Sequence, residues 1–332
     1  MIRAVKAIGH GLCQAAPTEL TIGNVIRRIL HLIREEHISA VSNLQTGAST
    51  AAPKVDPSGK AVAVSSAGSI FNMTNSNIIR QFSGESGDDV ASMATVHNTD
   101  SGKGLLPEMR QNLLASINEY IDEIDSITGP ICELAQDHIH AGECILTIGL
   151  GGELFLKAAA RKRRFQVIVA ENAPSLDGHK LVAVLSKACP NITVTLIPDS
   201  AIYAIMCRVN KVLLSSLAVV ADGGAICNSG CSMVATAAKE FNIPVVCLSA
   251  SYMLTPLFAH TQDQLLSQLK SPAEICEYNA EMNLDKVEVI IPIFDYLPPS
   301  LISIYVTNNG SHQPSYIYRL LSESYDPQDY NF

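Results

Sequence analysis

The chain contains 332 residues, of which 47% are hydrophobic although Trp is absent, so it can build an aliphatic core for one large or two medium domains. Its formal net charge of −9 argues against nonspecific nucleic-acid binding as the main task. No apolar run approaches the roughly 20 residues that a membrane-spanning helix needs, and no clear secretory signal is visible. We therefore expect a cytosolic protein with no direct nucleic-acid or membrane partner.

The first predicted element is an amphipathic helix from Thr18 to about His37. Arg27, Arg28 and Arg34 lie opposite its apolar stripe, which repeats at helical spacing through Ile22, Val25, Ile26, Ile29, Leu30 and Ile33. Ser, Thr, Asn, Gly and Asp then dominate, and such a composition cannot bury enough apolar surface to offset the entropy of ordering the chain. We predict a disordered insertion at residues 41–106.

A second long helix is predicted to start at Pro107, to kink or split at Gly129–Pro130 and to end at Gly142. Together with residues 1–40, residues 107–141 should form an N-terminal helical domain. From residue 142 to residue 332, short apolar runs alternate with amphipathic segments, which is typical of an α/β domain with a Rossmann-like, doubly wound, mostly parallel sheet. The predicted strands are Cys144–Ile148, Phe165–Ala170, Ile192–Ile197, Val212–Leu214 and Val245–Leu248.

The C-terminal segment is punctuated by prolines. We predict a strand from Val289 to Phe294, a second strand from Leu301 to Val306, and a short helix that carries tyrosines after Pro314. Exposed together, the aromatic and aliphatic residues of this segment would form a larger patch than soluble monomers usually tolerate. We therefore predict a subunit interface at Phe294, Tyr296, Leu297, Ile304, Tyr316 and Tyr318.

Three polar or glycine-rich clusters follow predicted strands, at the edge where such sheets bind ligands. The first cluster, Gly149-Leu150-Gly151-Gly152, partly matches a dinucleotide fingerprint, but Leu154 stands at the third glycine, and any strand-to-helix turn of this kind favours glycine. The nine cysteines are scattered, so we interpret them as thiols and predict neither a metal site nor a cofactor. The candidate pocket residues are Gly149, Gly151, Gly152, Glu171, Pro174, Gly178, Lys180, Asp222 and Gly223.

Several strings resemble the regulatory alpha, beta and delta subunits of eukaryotic translation initiation factor 2B, and the beta subunits most. They include TIGNVIRRIL, KAAARKRRF, DSAIYAIMCRVNKV and the C-terminal FDYLPPSLI and PSYIYRLLSE. The second cluster, which runs from Glu171 to Lys180, is also similar to a turn that these subunits share with methylthioribose-1-phosphate isomerases. In the isomerase pattern, a catalytic cysteine falls at Gly149 and a catalytic aspartate falls at Leu217. An isomerase that shuttles a proton requires a titratable side chain, and neither glycine nor leucine has one.

The resemblance implies a noncatalytic regulatory subunit of the guanine-nucleotide exchange factor for initiation factor 2, with exchange activity in other subunits. The implied partners are a homologous delta-like subunit, the alpha, gamma and epsilon subunits, and initiation factor 2 with its phosphorylated alpha subunit. The face around Asn24, Arg27, Arg28 and Arg34 is the implied contact with that factor. A cytosolic sugar-phosphate isomerase, or a sensor of a sugar phosphate or nucleotide, remains the alternative.

Overall fold

The computed structural model describes residues 1–49, 101–258, 267–276 and 287–330. The central part of the predicted insertion, residues 50–100, lies outside the described residues. Its two ends are helical, because α2 spans Leu20–Ser49 and α3 spans Ser101–Ser126. The helix limits predicted at His37 and Pro107 were therefore wrong, whereas the domain division itself stays a prediction.

The chain forms two compact units. Unit 1 comprises Met1–Ile33 and Ile117–Phe332, and unit 2 comprises Arg34–Ser116. Within unit 2, the Ser116 hydroxyl donates to Oε1 of Glu36 over 3.1 Å. This bond links the two helical segments of unit 2.

The helices of unit 1 begin with α1, Ile2–Ala15, which the sequence pattern did not predict. The predicted apolar stripe of α2 is confirmed at Ile26, Leu30 and Ile33, all of which are buried. After α3, the helical path breaks at Ile127 before α4, Thr128–Glu133, and α5, Ala135–His138. Among the described residues, no helix is both long enough and apolar enough to cross a membrane.

The larger sheet has seven strands in the order β10-β9-β7-β4-β1-β2-β3, counted over the described residues. All neighbours are parallel except β9 and β10, which form an antiparallel hairpin. This arrangement confirms the predicted doubly wound α/β class. The strands are β1 Cys144–Ile148, β2 Gln166–Ala170, β3 Thr193–Ile197, β4 Lys211–Ser215, β7 Val245–Leu248, β9 Ile304–Thr307 and β10 Gly310–His312.

Helices cover both faces of this sheet, so its central strands are apolar on both sides. Successive residues of β1 show the alternation, since Ile145 belongs to one buried cluster and Leu146 to the other. This is why β1 reads in the sequence as a continuous apolar run rather than an alternating one. The covering helices are α6 Glu153–Ala160, α7 Asp177–Ala188, α8 Ile202–Ile205, α9 Cys231–Glu240 and α10 Ile317–Ser324.

A second, antiparallel sheet was not predicted. It consists of β5 Ala218–Val219, β6 Ala225–Asn228 and β8 Phe294–Leu297. The strand predicted over Val289–Phe294 was therefore wrong, since β8 only begins at Phe294. Pro292 has no backbone N–H to donate, and this residue makes only an isolated bridge with Leu269.

The N-terminal helices are joined to the C-terminus through Arg27. Its guanidinium donates to the Tyr330 carbonyl through Nε at 3.2 Å and Nη2 at 3.1 Å, and Nη1 donates to Oδ1 of Asn24 at 3.2 Å. Lys6 forms a 2.8 Å ion pair with the fully buried Asp329. Burial lowers the pKa of Arg27, so its buried charge depends on these acceptors.

We predict that Arg27→Met lowers the free energy of unfolding by roughly 2 kcal/mol or more, because it leaves buried acceptors without a donor. Arg3→Met is the matched control, since Arg3 is exposed on α1. Urea denaturation followed by circular dichroism measures both, which suits a chain that lacks Trp. Equal stability of the two variants would contradict a stabilising role for the hydrogen bonds of Arg27.

Candidate functional site

The chain reverses direction across the larger sheet between β1 and β4. From β1 it proceeds outward through β2 to β3, and it then returns to the other side of β1 as β4. Such a reversal leaves a crevice at the carboxyl ends of the two strands. A cavity of about 340 Å³ lies there, and Gly151, Ser215 and Leu217 are among its lining residues.

The glycine turn after β1 is required by close packing. A Cβ on Gly151 would lie 1.9 Å from Oγ of Ser215, and a Cβ on Gly152 would lie 3.1 Å from Leu213. Gly149 is buried with a φ of +76°, a left-handed conformation that favours glycine. These contacts account for three of the predicted pocket glycines by packing and backbone geometry alone.

The second cluster is occupied by its own neighbours. Lys180 pairs with Asp177 at 2.7 Å, and the Glu171 carboxylate lies 4.0 Å from Nε2 of His179. The backbone amides of Asn172 and Ala173 donate to the two carboxylate oxygens of Asp199, at 3.0 and 2.8 Å. The amides that could have held an external anion are therefore already bound to an internal carboxylate.

The second cluster opens into a separate cavity of about 170 Å³, which Pro174 lines. Asp177 and Asn228 line both this cavity and the one at the β1–β4 crevice. Gly178 lies where α7 meets the end of β2, and a Cβ there would be 2.1 Å from the Ala170 carbonyl oxygen. The predicted pocket residues therefore line two cavities or pack against the backbone, and they do not converge on one centre.

The third cluster, Asp222-Gly223-Gly224, is a turn gripped by the C-terminal segment. Its bonds run from the Tyr296 hydroxyl to Oδ2 of Asp222 at 2.6 Å, and from the Tyr305 hydroxyl to the Gly223 carbonyl at 2.8 Å. Gly223 has a φ of +83°, and a Cβ on it would be 2.5 Å from the carbonyl oxygen of Pro314. Asp222 and Gly223 therefore serve a structural joint in this chain.

Burial also shapes the ionisation of this region. It raises the pKa of Tyr305, and burial followed by the bond to Asp222 raises the pKa of Tyr296. Hydrogen bonding with Cys231 and Cys247, followed by burial, raises the pKa of Cys227 well above its usual value. Both hydroxyls and this thiol therefore keep their protons near neutral pH, and none is poised as a base or nucleophile.

Two side chains that hold the region of the site together escaped the sequence reasoning. Asp295 of β8 accepts from the amides of Gly230 and Ser232, at 2.8 and 3.1 Å, at the start of α9. Tyr305 is fully buried in β9. An acidic residue inside an otherwise apolar strand is unusual, and this was the available signal for Asp295. Among the described residues, no group of three or more His, Cys, Asp or Glu could hold a metal ion.

The expected interface residues differ in exposure. Leu297 is fully buried, Phe294, Tyr296 and Ile304 are half-buried, and Tyr316 and Tyr318 are exposed by 37% and 64%. Tyr316 stacks on His312 with ring centroids 5.2 Å apart. Of the six residues, Tyr316 and Tyr318 offer the most surface to a partner, and the interface itself stays a prediction.

The expected factor-binding face is only partly available. Asn24 and Arg27 are buried, and Nδ2 of Asn24 donates to the Tyr252 carbonyl at 3.0 Å. Arg28 is half-buried and donates to the Ser324 carbonyl at 3.3 Å, whereas Arg34 belongs to unit 2. Two of the four residues, Asn24 and Arg27, are therefore buried and not exposed to solvent, and the contact with the factor stays a prediction.

We predict that Gly223→Ala destabilises the chain far more than Gly142→Ala does. Both glycines have a φ near +80°, but a Cβ on Gly142 meets no atom within 4 Å. The left-handed backbone should cost each variant about 1 to 2 kcal/mol, and the collision with Pro314 should add about 1 to 3 kcal/mol at Gly223. Urea denaturation measures the difference in the free energy of unfolding. Equal losses of stability in the two variants would show that the contact between Gly223 and Pro314 is not tight.

The model of the family described as "Initiation factor 2 subunit family" matches residues 1–314. The chain is 39% identical to "Translation initiation factor eIF2B subunit beta" of Dictyostelium discoideum, over 99% of this chain and 85% of that protein. It is 34% identical to the protein of the same name in Schizosaccharomyces pombe, over 99% of this chain and 86% of that one. A ribose 1,5-bisphosphate isomerase of Archaeoglobus fulgidus is 28% identical over 65% of this chain and 68% of its own length.

Solved structures show the same fold. The crystal structure of eIF2B beta from Chaetomium thermophilum superposes with a TM-score of 0.67 at 26% identity, covering 100% of this chain and 81% of that one. A chain of the tetrameric eIF2B-beta2-delta2 complex from C. thermophilum superposes with a TM-score of 0.63 at 24% identity, covering 98% of this chain and 80% of that one. The glycine turns, the doubly wound sheet and the C-terminal grip therefore occur in a chain that belongs to the initiation factor 2 subunit family.

Proposed function

We propose that this chain is a noncatalytic regulatory subunit of the guanine-nucleotide exchange factor for translation initiation factor 2, acting in the cytosol. Its relatives at 39% and 34% identity are named as beta subunits of that factor. The observation that carries the noncatalytic part of the proposal is the pair Gly149 and Leu217, which stand where the isomerase pattern places its cysteine and aspartate. Exchange activity belongs, in this proposal, to other subunits.

Within that role, the chain assembles with a homologous delta-like subunit and, through it, with the alpha, gamma and epsilon subunits. The similarity to a chain of the tetrameric eIF2B-beta2-delta2 complex supports this kind of partner. The exposed Tyr318 on α10 suits such a contact, since tyrosine is enriched at interfaces. The assembled complex binds initiation factor 2 and helps sense its phosphorylated alpha subunit.

We expect no turnover of ribose 1,5-bisphosphate or methylthioribose-1-phosphate by the purified chain. Glycine and leucine cannot supply the proton transfer, and loss of such groups costs several orders of magnitude in rate. A steady-state assay beside an active isomerase measures this directly. Turnover on the order of 1 s⁻¹, which is ordinary for an enzyme, would refute the noncatalytic role.

We expect Tyr318→Asp to reduce co-purification with a delta-like subunit at least about tenfold, because it buries a charge at the contact. Tyr203→Asp is the matched control, since Tyr203 is a similarly exposed tyrosine on α8. Size-exclusion chromatography of the co-expressed pair gives the heterodimer fraction. Both variants should keep the circular dichroism of the original chain.

If the original chain fails to pair with the delta-like subunit, the assembly proposal is refuted. If Tyr318→Asp pairs as well as the original chain does, Tyr318 on α10 is not part of the contact. Capture of phosphorylated and unphosphorylated factor 2 alpha subunit by the reconstituted complex then tests sensing. Equal capture of both forms would remove the sensing role.

A further inference from the structure

The cavity at the β1–β4 crevice differs chemically from a phosphate site. Its volume of about 340 Å³ is within the range of small-molecule sites. Most of its wall is apolar, and three leucines at its rim are also substantially exposed, with Leu150 at 40%, Leu154 at 52% and Leu217 at 40%. The remaining apolar lining includes Ile127, Ile131, Phe155, Leu248, Ala250 and Met253.

The polar groups of the wall are almost all neutral. The hydroxyl of Ser215 and the side-chain amide of Asn228 bond to no described residue, so both can bind a ligand. The buried hydroxyls of Ser216 and Ser249 instead donate to backbone carbonyls, at 3.2 and 3.4 Å. The wall therefore provides a few uncharged hydrogen-bonding groups within an apolar surface.

The lysines beside the carboxylates of this region are already paired, Lys180 with Asp177 at 2.7 Å and Lys157 with Glu153 at 2.6 Å. Of the described residues that line the cavity, none is Lys, Arg or His, and the single charged group is the carboxylate of Asp177. Glu153 adds a second carboxylate in the first turn of α6, beside the glycine turn, where the helix dipole would otherwise favour an anion. A dianionic sugar phosphate would lose its hydration there, and it would find no cation in the described wall and would have to compete with carboxylates for Lys157 and Lys180.

We infer that this cavity binds an uncharged, largely apolar small molecule that carries one or two hydrogen-bonding groups, and that it does not bind a phosphorylated sugar. Ser215 and Asn228 bind the polar end of the ligand, and the leucine rim covers its apolar part. The inference rests on the cavity wall alone, so it does not depend on the regulatory role proposed above. It also distinguishes this chain from a sugar-phosphate sensor.

The test titrates the full chain with PRODAN, an uncharged fluorophore whose emission shifts to the blue in an apolar site. We expect saturable binding with one molecule per chain. Leu154→Lys and Leu217→Lys should each weaken it at least about fivefold, because each replaces an apolar contact with a charge. Leu196→Lys is the matched control on β3, where Leu196 is 37% exposed and lies outside the cavity wall. An excess of ribose 1,5-bisphosphate should not displace the dye.

Unsaturable binding would overturn the inference, and so would an equal loss in all three lysine variants. Displacement of the dye by ribose 1,5-bisphosphate would show that the cavity accepts phosphate after all. Thermal unfolding verifies that each variant is folded. Should Leu154→Lys fail to fold, Leu217→Lys decides, because Leu217 lies in the connection between β4 and β5 rather than in a helix.

Discussion

The turn at Asp222-Gly223-Gly224 is the constraint on which the C-terminal half of the fold depends. Two tyrosines from different strands bind it, Tyr296 from the antiparallel sheet and Tyr305 from the seven-stranded sheet. Neither glycine can carry a side chain, since a Cβ on Gly224 would lie 2.6 Å from the Tyr296 ring and one on Gly223 would meet Pro314. One tight turn thus contacts a strand of each sheet. The bond from Tyr305 is buried, where a hydrogen bond is stronger than in water, whereas the bond from Tyr296 to Asp222 is exposed.

The same packing accounts for the chemistry that is missing at the carboxyl edge of the sheet. In this fold, a ligand would be held by free backbone amides and charged side chains at that edge. Here Asp199 accepts from amides that follow β2, and Asp295 accepts from amides at the start of α9. The glycine turn after β1 packs against Ser215, and Leu217 contributes an apolar side chain to the cavity wall. The scaffold of a ligand-binding α/β domain is therefore retained, while its polar groups mostly bind one another.

Burial of Arg27 changes how partner contacts should be sought. An arginine opposite an apolar stripe looks like a solvent-facing group, yet this guanidinium binds the Tyr330 carbonyl at the other end of the chain. A buried charge of this kind stabilises the fold through its hydrogen bonds, and it destabilises the fold when those bonds are lost. Candidate partner surfaces are better placed on side chains that remain exposed, such as Tyr318 on α10.

The sequence by itself determined the elements whose stability is local or whose burial is uniform. β1 and β7 have the predicted bounds, because a strand that is covered on both faces appears in the sequence as a short continuous apolar run. The absence of titratable groups at Gly149 and Leu217 was equally readable, since it requires only residue identity. Tertiary structure decided the rest: that Phe294–Leu297 pairs with β6 instead of extending the large sheet, and that Arg27 faces inward. Both outcomes depend on residues about 65 to 300 positions away in the chain. A local sequence pattern does not show which distant backbone groups will require a hydrogen-bond partner.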